Sequence, residues 1–214
     1  VWRDKISASR RMSARPSNSG YADEAAALLT RYESFPAETV HAHWRALMPD
    51  TPARVLDVGA GTGRDAAWFV ELGHQVLAVE PTDALRAGAQ RLHPEPQITW
   101  LNDRLPALPQ VVARAAVFDL IMLNAVWMHL DETERARGFQ TLVSLMAPSA
   151  RLFIRQRHGP IPEGRRMFDV SGAETIGMAE RAGLRTLYDE RNGSQLAENK
   201  NRGVEWTCLV FEAP

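Results

Sequence analysis

Three stretches of the chain carry residue types at spacings that could do chemistry. The first is Arg54 to Asp65, RVLDVGAGTGRD, where glycines at 59, 61 and 63 follow a short apolar run containing Asp57. Glycine takes positive φ without steric cost. The missing β-carbons let a ligand lie against the backbone, and the free N–H groups of a following helix point at it. The spacing is G-x-G-x-G. The dinucleotide fingerprint G-x-G-x-x-G would place its third glycine at position 64, which is Arg64. Carboxylates recur downstream. Glu80, followed by Pro81, stands about 20 residues past the turn, where an acid can accept two ribose hydroxyls. The second stretch is Asn124 to Leu130, NAVWMHL, whose His129 is a candidate general base because imidazole titrates near neutrality. The alternative for His129 is packing, or capping of the next helix. The third is Arg155-Gln156-Arg157-His158, with Arg165 and Arg166 beyond it. His158 is a second base candidate, and the arginines read either as a site for an acidic substrate or as a solvated basic loop.

The elements that must position these residues follow from periodicity and punctuation. Arg54 to Val58, His74 to Glu80, Gln97 to Leu101, Val117 to Asn124 and Ala150 to Gln156 read as strands. Helices are predicted over Arg64 to Leu72, Asp83 to Leu92, Val111 to Ala115 and Asp131 to Met146. A further helix starts at a Ser171 cap and ends at Gly183. Leu184 to Arg191 and Gly203 to Phe211 form a closing strand pair joined by the polar loop Asn192 to Arg202. Two helices, Tyr21 to Ser34 and Glu38 to Met48, precede the first strand and would cover its ligand edge. Tyr21, Tyr32 and Glu33 are candidates there for contacting substrate or cofactor, although a packed aromatic helix face would explain them too.

The pattern Asp57-Val58-Gly59-Ala60-Gly61-Thr62-Gly63 resembles motif I of the class I S-adenosylmethionine-dependent methyltransferases, and Glu80, Asp103 and the Phe118 to Asn124 strand extend the likeness over Pro52 to Phe211. The resemblance implies a Rossmann-like, doubly wound α/β sheet of seven strands, mostly parallel with an antiparallel C-terminal hairpin strand, preceded by N-terminal helices. It implies S-adenosylmethionine as cofactor. The contacts would come from Asp57, Gly59, Ala60, Gly61, Thr62, Gly63, Glu80, Pro81, Asn102, Asp103, Arg104, Asn124 and Ala125. Asp103 would meet the adenine amino group and the Arg104 backbone N–H a ring nitrogen. Trp127, Arg155, Arg157 and Tyr21 become substrate contacts, with Trp127 and His129 nearest the transferable methyl. DNA amino-methyltransferases place two prolines where Ala125 and Val126 stand here, which counts against exocyclic-amine chemistry on bases.

With 214 residues, 45% of them hydrophobic, the chain suits one domain. The expected division is a flexible basic leader at 1–20 and a single domain at 21–214, with 21–50 as helical cover and 52–211 as core. The leader holds Arg3, Lys5, Arg10, Arg11 and Arg15 against Asp4 alone, so the net charge of −1 leaves a mildly acidic body. Such a body argues against a large nucleic-acid face. No apolar run is long enough for a membrane span and none resembles a signal peptide, so a soluble, cytoplasmic protein is expected. The single cysteine, Cys208, excludes disulfides and a cysteine metal site, and His41 and His43, two apart on a helix, fall on different faces. No metal is expected. The favoured function is methyl transfer to an O or N atom of a small molecule. An RNA or protein substrate is the alternative, followed by a nucleotide-binding oxidoreductase or a non-catalytic binding module.

Overall fold

The computed structural model describes residues 15–194 and 197–214. Seven strands form one sheet: β1 (Arg54–Val58), β2 (Gln75–Val79), β3 (Ile98–Leu101), β4 (Phe118–Asn124), β5 (Met146–His158), β6 (Arg185–Gly193) and β7 (Glu205–Glu212). Their order is β3-β2-β1-β4-β5-β7-β6. The first five are parallel, while β7 runs antiparallel to both β5 and β6. This is the predicted seven-stranded, mostly parallel sheet with its antiparallel closing strand. The chain order reverses between β1 and β4, and ligands of open α/β sheets bind in the crevice beyond the carboxyl ends at such a point.

The helices among the described residues are α1 (Ala25–Glu33), α2 (Ala37–His41), α3 (Arg64–Glu71), α4 (Asp83–Leu92), α5 (Pro109–Val112), α6 (Glu132–Ser144), α7 (Gly172–Arg181) and α8 (Ala197–Asn201). Both sheet faces are covered, which is why β1 and β4 read as continuous apolar runs. Val55, Met122 and Phe153 pack on Trp44, Ala66 and Phe69 on one side. Leu56, Ile121, Leu123 and Ile154 pack with Val111, Phe139, Leu142 and Ala179 on the other. α6 opens with the expected reciprocal cap, Glu134 N to Asp131 Oδ1 at 2.9 Å and Asp131 N to Glu134 Oε2 at 3.0 Å. Ser171 caps α7 with its side chain alone, accepting from Glu174 N at 3.1 Å, while the Glu174 carboxylate bonds Arg135. No described helix is long and apolar enough to cross a membrane.

Several expectations need correction. The first helix starts at Ala25, because Tyr21 to Glu24 are in turns and two of their side chains are engaged across the crevice as described below. The second ends as α helix at His41 and continues as a tighter 3-10 segment, Ala42–Leu47. Thr82 does not cap α4 with its side chain; its hydroxyl accepts from Asn18 Nδ2 at 3.2 Å instead. The polar loop before β7 contains α8. Of the leader expected at 1–20, residues 16–20 lie in or border turns, and Asn18 is bonded to Thr82 beyond β2. Residues 1–14 lie outside the described residues.

α1 docks on α4 through Ala25, Leu28 and Leu85. A β-carbon at Gly88 of α4 would stand 2.4 Å from Leu29 Cδ1 and 3.1 Å from its Cγ, so glycine sets how closely the cover approaches. Gly88→Val should therefore loosen α1 and leave the sheet intact. Hydrogen exchange is expected to speed up for amides 25–33 while amides of β1 and β4 keep their protection.

Candidate active site

β1 feeds a turn in which Gly59, Gly61 and Gly63 have φ of +74°, +59° and +88°. The turn is pinned to β2: Gly59 N and Ala60 N donate to Val79 O at 2.7 and 2.9 Å. Gly61 N donates to Glu80 Oε2 at 3.0 Å, and Thr82 N, just past Pro81, to Glu80 Oε1 at 2.7 Å. One carboxylate thus joins the glycine turn to the end of β2, and each oxygen keeps an acceptor position for a hydroxyl. Burial raises the Glu80 pKa, and the Thr82 and Gly61 bonds oppose the rise.

The three glycines do different jobs. A β-carbon at Gly59 would meet Val126 Cγ2 at 2.4 Å, and one at Gly63 would meet His93 Cδ2 at 2.8 Å and the Trp100 ring at 2.9 Å. Those two admit protein side chains. At Gly61 the nearest atom would be Gly59 O at 3.9 Å, so its Cα faces open space. His93 is held in turn by Glu33 of α1, at 3.2 Å. Burial works against ionised Glu33, but bonds from His93 and Thr62 outweigh it and hold the carboxyl below its usual range.

Asp65, at the start of α3, is the centre of a buried polar network that sequence reasoning missed. Its Oδ1 accepts from Arg64 Nε at 2.8 Å and Nη2 at 2.6 Å, while Oδ2 accepts from Asn124 Nδ2 at 2.7 Å and lies 3.0 Å from His41 Nε2. Trp44 Nε1 donates to His41 Nδ1 at 3.0 Å, so the His41 proton sits on Nε2, facing Asp65. Burial opposes the Asp65 charge, yet Arg64, His41 and Asn124 together keep the carboxyl strongly acidic. Asp57 is the opposite case. Its Oδ2 is buried without a partner, and burial, followed by repulsion from Asp65, raises its pKa well above the usual range. His41 is fully buried, stacked on Trp44 and Trp68 and bonded to Trp44 Nε1. The sequence signal was available: Arg64-Asp65 opens a helix whose next residues, AAWF, are all apolar.

On the other side of the crevice, Tyr21 Oη lies 2.9 Å from His129 Nε2, and His129 Nδ1 lies 2.6 Å from Arg166 O. The carbonyl can only accept, so Nδ1 carries the proton and Nε2 receives the phenol hydrogen. Burial first, then Arg165, Arg166 and Arg157, push the His129 pKa down to about 4 against the pull of the Arg166 carbonyl. Arg165 stacks over the Tyr21 ring at 3.6 Å and bonds Glu24 Oε2 at 2.9 Å. Arg157, half-buried nearby, donates to Pro160 O at 2.8 Å.

Other expected site residues do not converge here. Trp127 is fully buried, bonded through Nε1 to Thr175 Oγ1 at 3.1 Å and packed on Phe139, so it is core and not a wall for substrate. Val126 takes the place over Gly59. His158 points to the opposite face of β5 from Arg155 and Arg157, where Nε2 pairs with Thr207 Oγ1 at 2.8 Å. Arg166 is buried, with Nη2 on Asp131 at 3.1 Å and Glu134 at 2.6 Å. It braces the α6 cap and is closed to an acidic substrate. Asp103 spends Oδ1 on Arg104 N and Oδ2 on Gln110 N and Val111 N, capping α5, which leaves one acceptor position on Oδ1. The Arg104 N–H, expected to meet a ring nitrogen, is committed to that same carboxylate at 2.9 Å. Asn102 is exposed and donates to Asp83 at 3.3 Å. Ala125 takes φ +63° with its N–H on Arg155 O at 2.8 Å, turning the chain away from β4 above Asn124. Among the described residues no cluster of His, Cys, Asp or Glu could hold a metal ion.

Residues 55–149 match the family model described as a methyltransferase domain. An uncharacterised methyltransferase of Mycobacterium tuberculosis is 30% identical over 133 residues, 56% of this chain and 44% of that protein. The HTH-type quorum sensing-dependent transcriptional regulator RpaR of Rhodopseudomonas palustris is 31% identical over 163 residues, 66% of this chain and 65% of the regulator. The matched segments thus span less than two thirds of these relatives' length. In fold, the chain is similar to the 1,6-didemethyltoxoflavin-N1-methyltransferase of Burkholderia thailandensis, solved with 1,6-didemethyltoxoflavin and S-adenosylhomocysteine. That likeness has a TM-score of 0.61 at 21% identity and covers 89% of each chain. Residues 55–149 thus carry a methyltransferase domain, and the fold is the one seen in solved S-adenosylmethionine-dependent methyltransferases.

The depressed His129 pKa has a measurable consequence. A histidine titrating near 6.5 when unfolded and near 4 when folded binds fewer protons in the native state between those values. Its stabilising contribution is therefore complete above pH 6.5 and is lost as pH falls toward 4, by roughly 3 kcal/mol in all. Chemical denaturation across that window should show the wild type losing more stability than His129→Gln. Parallel curves for the two proteins would show that His129 exchanges no protons on folding.

Proposed function

We propose that the chain binds S-adenosylmethionine and transfers its methyl group to an oxygen or nitrogen of a small-molecule acceptor. The observation that carries this reading is the open face of Gly61 beside the Glu80 carboxylate, at the carboxyl end where β1 and β4 diverge. Backbone free of a side chain and an acid with spare acceptor positions suit a nucleoside with two ribose hydroxyls. The remaining Oδ1 position of Asp103 suits the amino group of its base. When bound, the cofactor supplies a methyl group already activated as a sulfonium, so the chain needs mainly to align an acceptor and exclude water.

The remaining task is a proton. Tyr21 donates its own hydrogen to His129 Nε2, which leaves the phenol oxygen's lone pairs as acceptors for an incoming hydroxyl or ammonium. As an oxygen acceptor gains the methyl group it becomes a strongly acidic oxonium, so its proton passes to the Tyr21 oxygen while the Tyr21 proton moves to Nε2 even with the His129 pKa held down to about 4. The small-molecule reading is supported by the mildly acidic body and by the small acceptor named for the Burkholderia enzyme.

Calorimetry should detect binding of S-adenosylhomocysteine and none of NAD. Gly61→Val should abolish that binding in a folded protein, because the branched side chain fills the open face and opposes positive φ. Binding of NAD alone would overturn the reading. For catalysis, Tyr21→Phe and His129→Ala should each lower turnover by roughly 100-fold with little change in adenosylhomocysteine affinity. Because the two act as one relay, the double variant should be scarcely slower than either single one. Multiplying losses would assign the residues separate roles.

A further inference from the structure

Beside Asn124 lies a cavity of about 80 Å3, lined by Val40, His43, Arg155, Asn192, Trp206 and Cys208. Three polar atoms of its lining, Arg155 Nε, Trp206 Nε1 and His43 Nε2, are buried from solvent with no hydrogen-bond partner. Native proteins seldom leave such atoms unpaired, so a group of orphans around one cavity calls for a ligand atom.

The charge is unmatched as well. Among the described residues Arg155 has no carboxylate within ion-pair distance. Its guanidinium meets the neutral Cys208 thiol, and Nη1 reaches Asn124 Oδ1 at 3.4 Å, with Asn124 standing between it and Asp65. Asp65 is already divided among Arg64, His41 and Asn124. Glu190 of β6, opposite Cys208 in register, accepts the Tyr188 hydroxyl. Burial, then Arg155 and His41, hold His43 below its usual pKa, so it brings no second full charge. The guanidinium lies over the Trp206 ring at 3.8 Å, so one face is taken and its in-plane N–H groups remain for a ligand. Planar donors and one positive charge fit a carboxylate.

We infer that this cavity receives a carboxylate of the methyl acceptor, making the substrate class an organic acid anchored by Arg155. The inference rests on the proposed methyltransferase reading for the site beside it. Neighbouring strands are about 4.8 Å apart, so β5 lies about 10 Å from β1, and the acid group is separated from the methylated atom by roughly the length of a small ring system.

The test uses 4-fluorobenzoate and its neutral analogue 4-fluorobenzamide, with binding followed by fluorine NMR and no cofactor added. The wild type should bind the benzoate at least about tenfold more tightly than the benzamide. Arg155→Met, which keeps an apolar stem on Trp206, should lose that preference. Asn192→Asp, a near-isosteric change that adds a negative charge to the lining, should weaken benzoate binding by about tenfold in a protein whose fold is undisturbed. Adenosylhomocysteine affinity should be unchanged in both variants. Equal benzoate affinity in wild type and Arg155→Met would overturn the proposal. So would inorganic phosphate competing as well as benzoate, or a matching fall in adenosylhomocysteine affinity, which would give Arg155 to the cofactor. A wild type that binds benzoate at Arg155 but not adenosylhomocysteine would instead sink the methyltransferase reading.

Discussion

The Asp65 carboxylate is the interaction on which the arrangement of the crevice depends. It is buried at the first turn of α3, where the helix dipole favours a negative charge, and it takes hydrogen from Arg64 beside it and Asn124 at the end of β4, with the His41 Nε2–H of α2 in contact. Three separate stretches of chain therefore meet on one side chain. A buried charge is stabilising only while its partners are in place, and removing one typically costs about 3–5 kcal/mol. The glycine turn is fastened on its other flank by Glu80, which accepts from Gly61 N.

The second constraint is the cover laid over the carboxyl ends by residues 15–33. Asn18 reaches Thr82 beyond β2, Tyr21 reaches His129 beyond β4, and Glu24 reaches Arg165 beyond β5, while Glu33 at the far end of α1 meets His93. Each bond alone is modest, as expected of partly exposed polar pairs. Their placement matters more than their strength: a segment of fewer than twenty residues is tied to three different parts of the crevice rim, so its position sets how much water the crevice admits.

Much of this was legible in the sequence, for identifiable reasons. The strands were read from apolar runs such as VFDLIMLN because both sheet faces are covered, and Asp131 with Glu134 marked a helix start because that cap is local. Glu80 could be placed because its distance from the glycines reflects one βαβ unit. What escaped was non-local or depended on direction. Trp127 and His129 are two residues apart, yet one enters the core against Thr175 and the other faces Tyr21, because a 3-10 turn rotates the chain between them. His41 looked unremarkable beside His43, since nothing nearby in sequence announces Asp65 as its partner. Asp103 was recognised as an acid in the right place, but not as the cap of a helix that begins at Pro109.

The position of β7 between β5 and β6 has a consequence for how the molecule is made. β6 touches the sheet only through β7, which pairs with it along one edge and with β5 along the other. During synthesis the strands β1 to β5 can assemble as they emerge, in an order that follows the chain. β6 then has no neighbour until residues 205–212 have left the ribosome, and meanwhile the edge of β5 stands open. The Arg155 and Trp206 faces come together only at that last step. A chain that has lost its final strand would therefore keep its nucleotide-facing half recognisable while presenting an unpaired, largely apolar edge, the kind of species that chaperones and proteases remove.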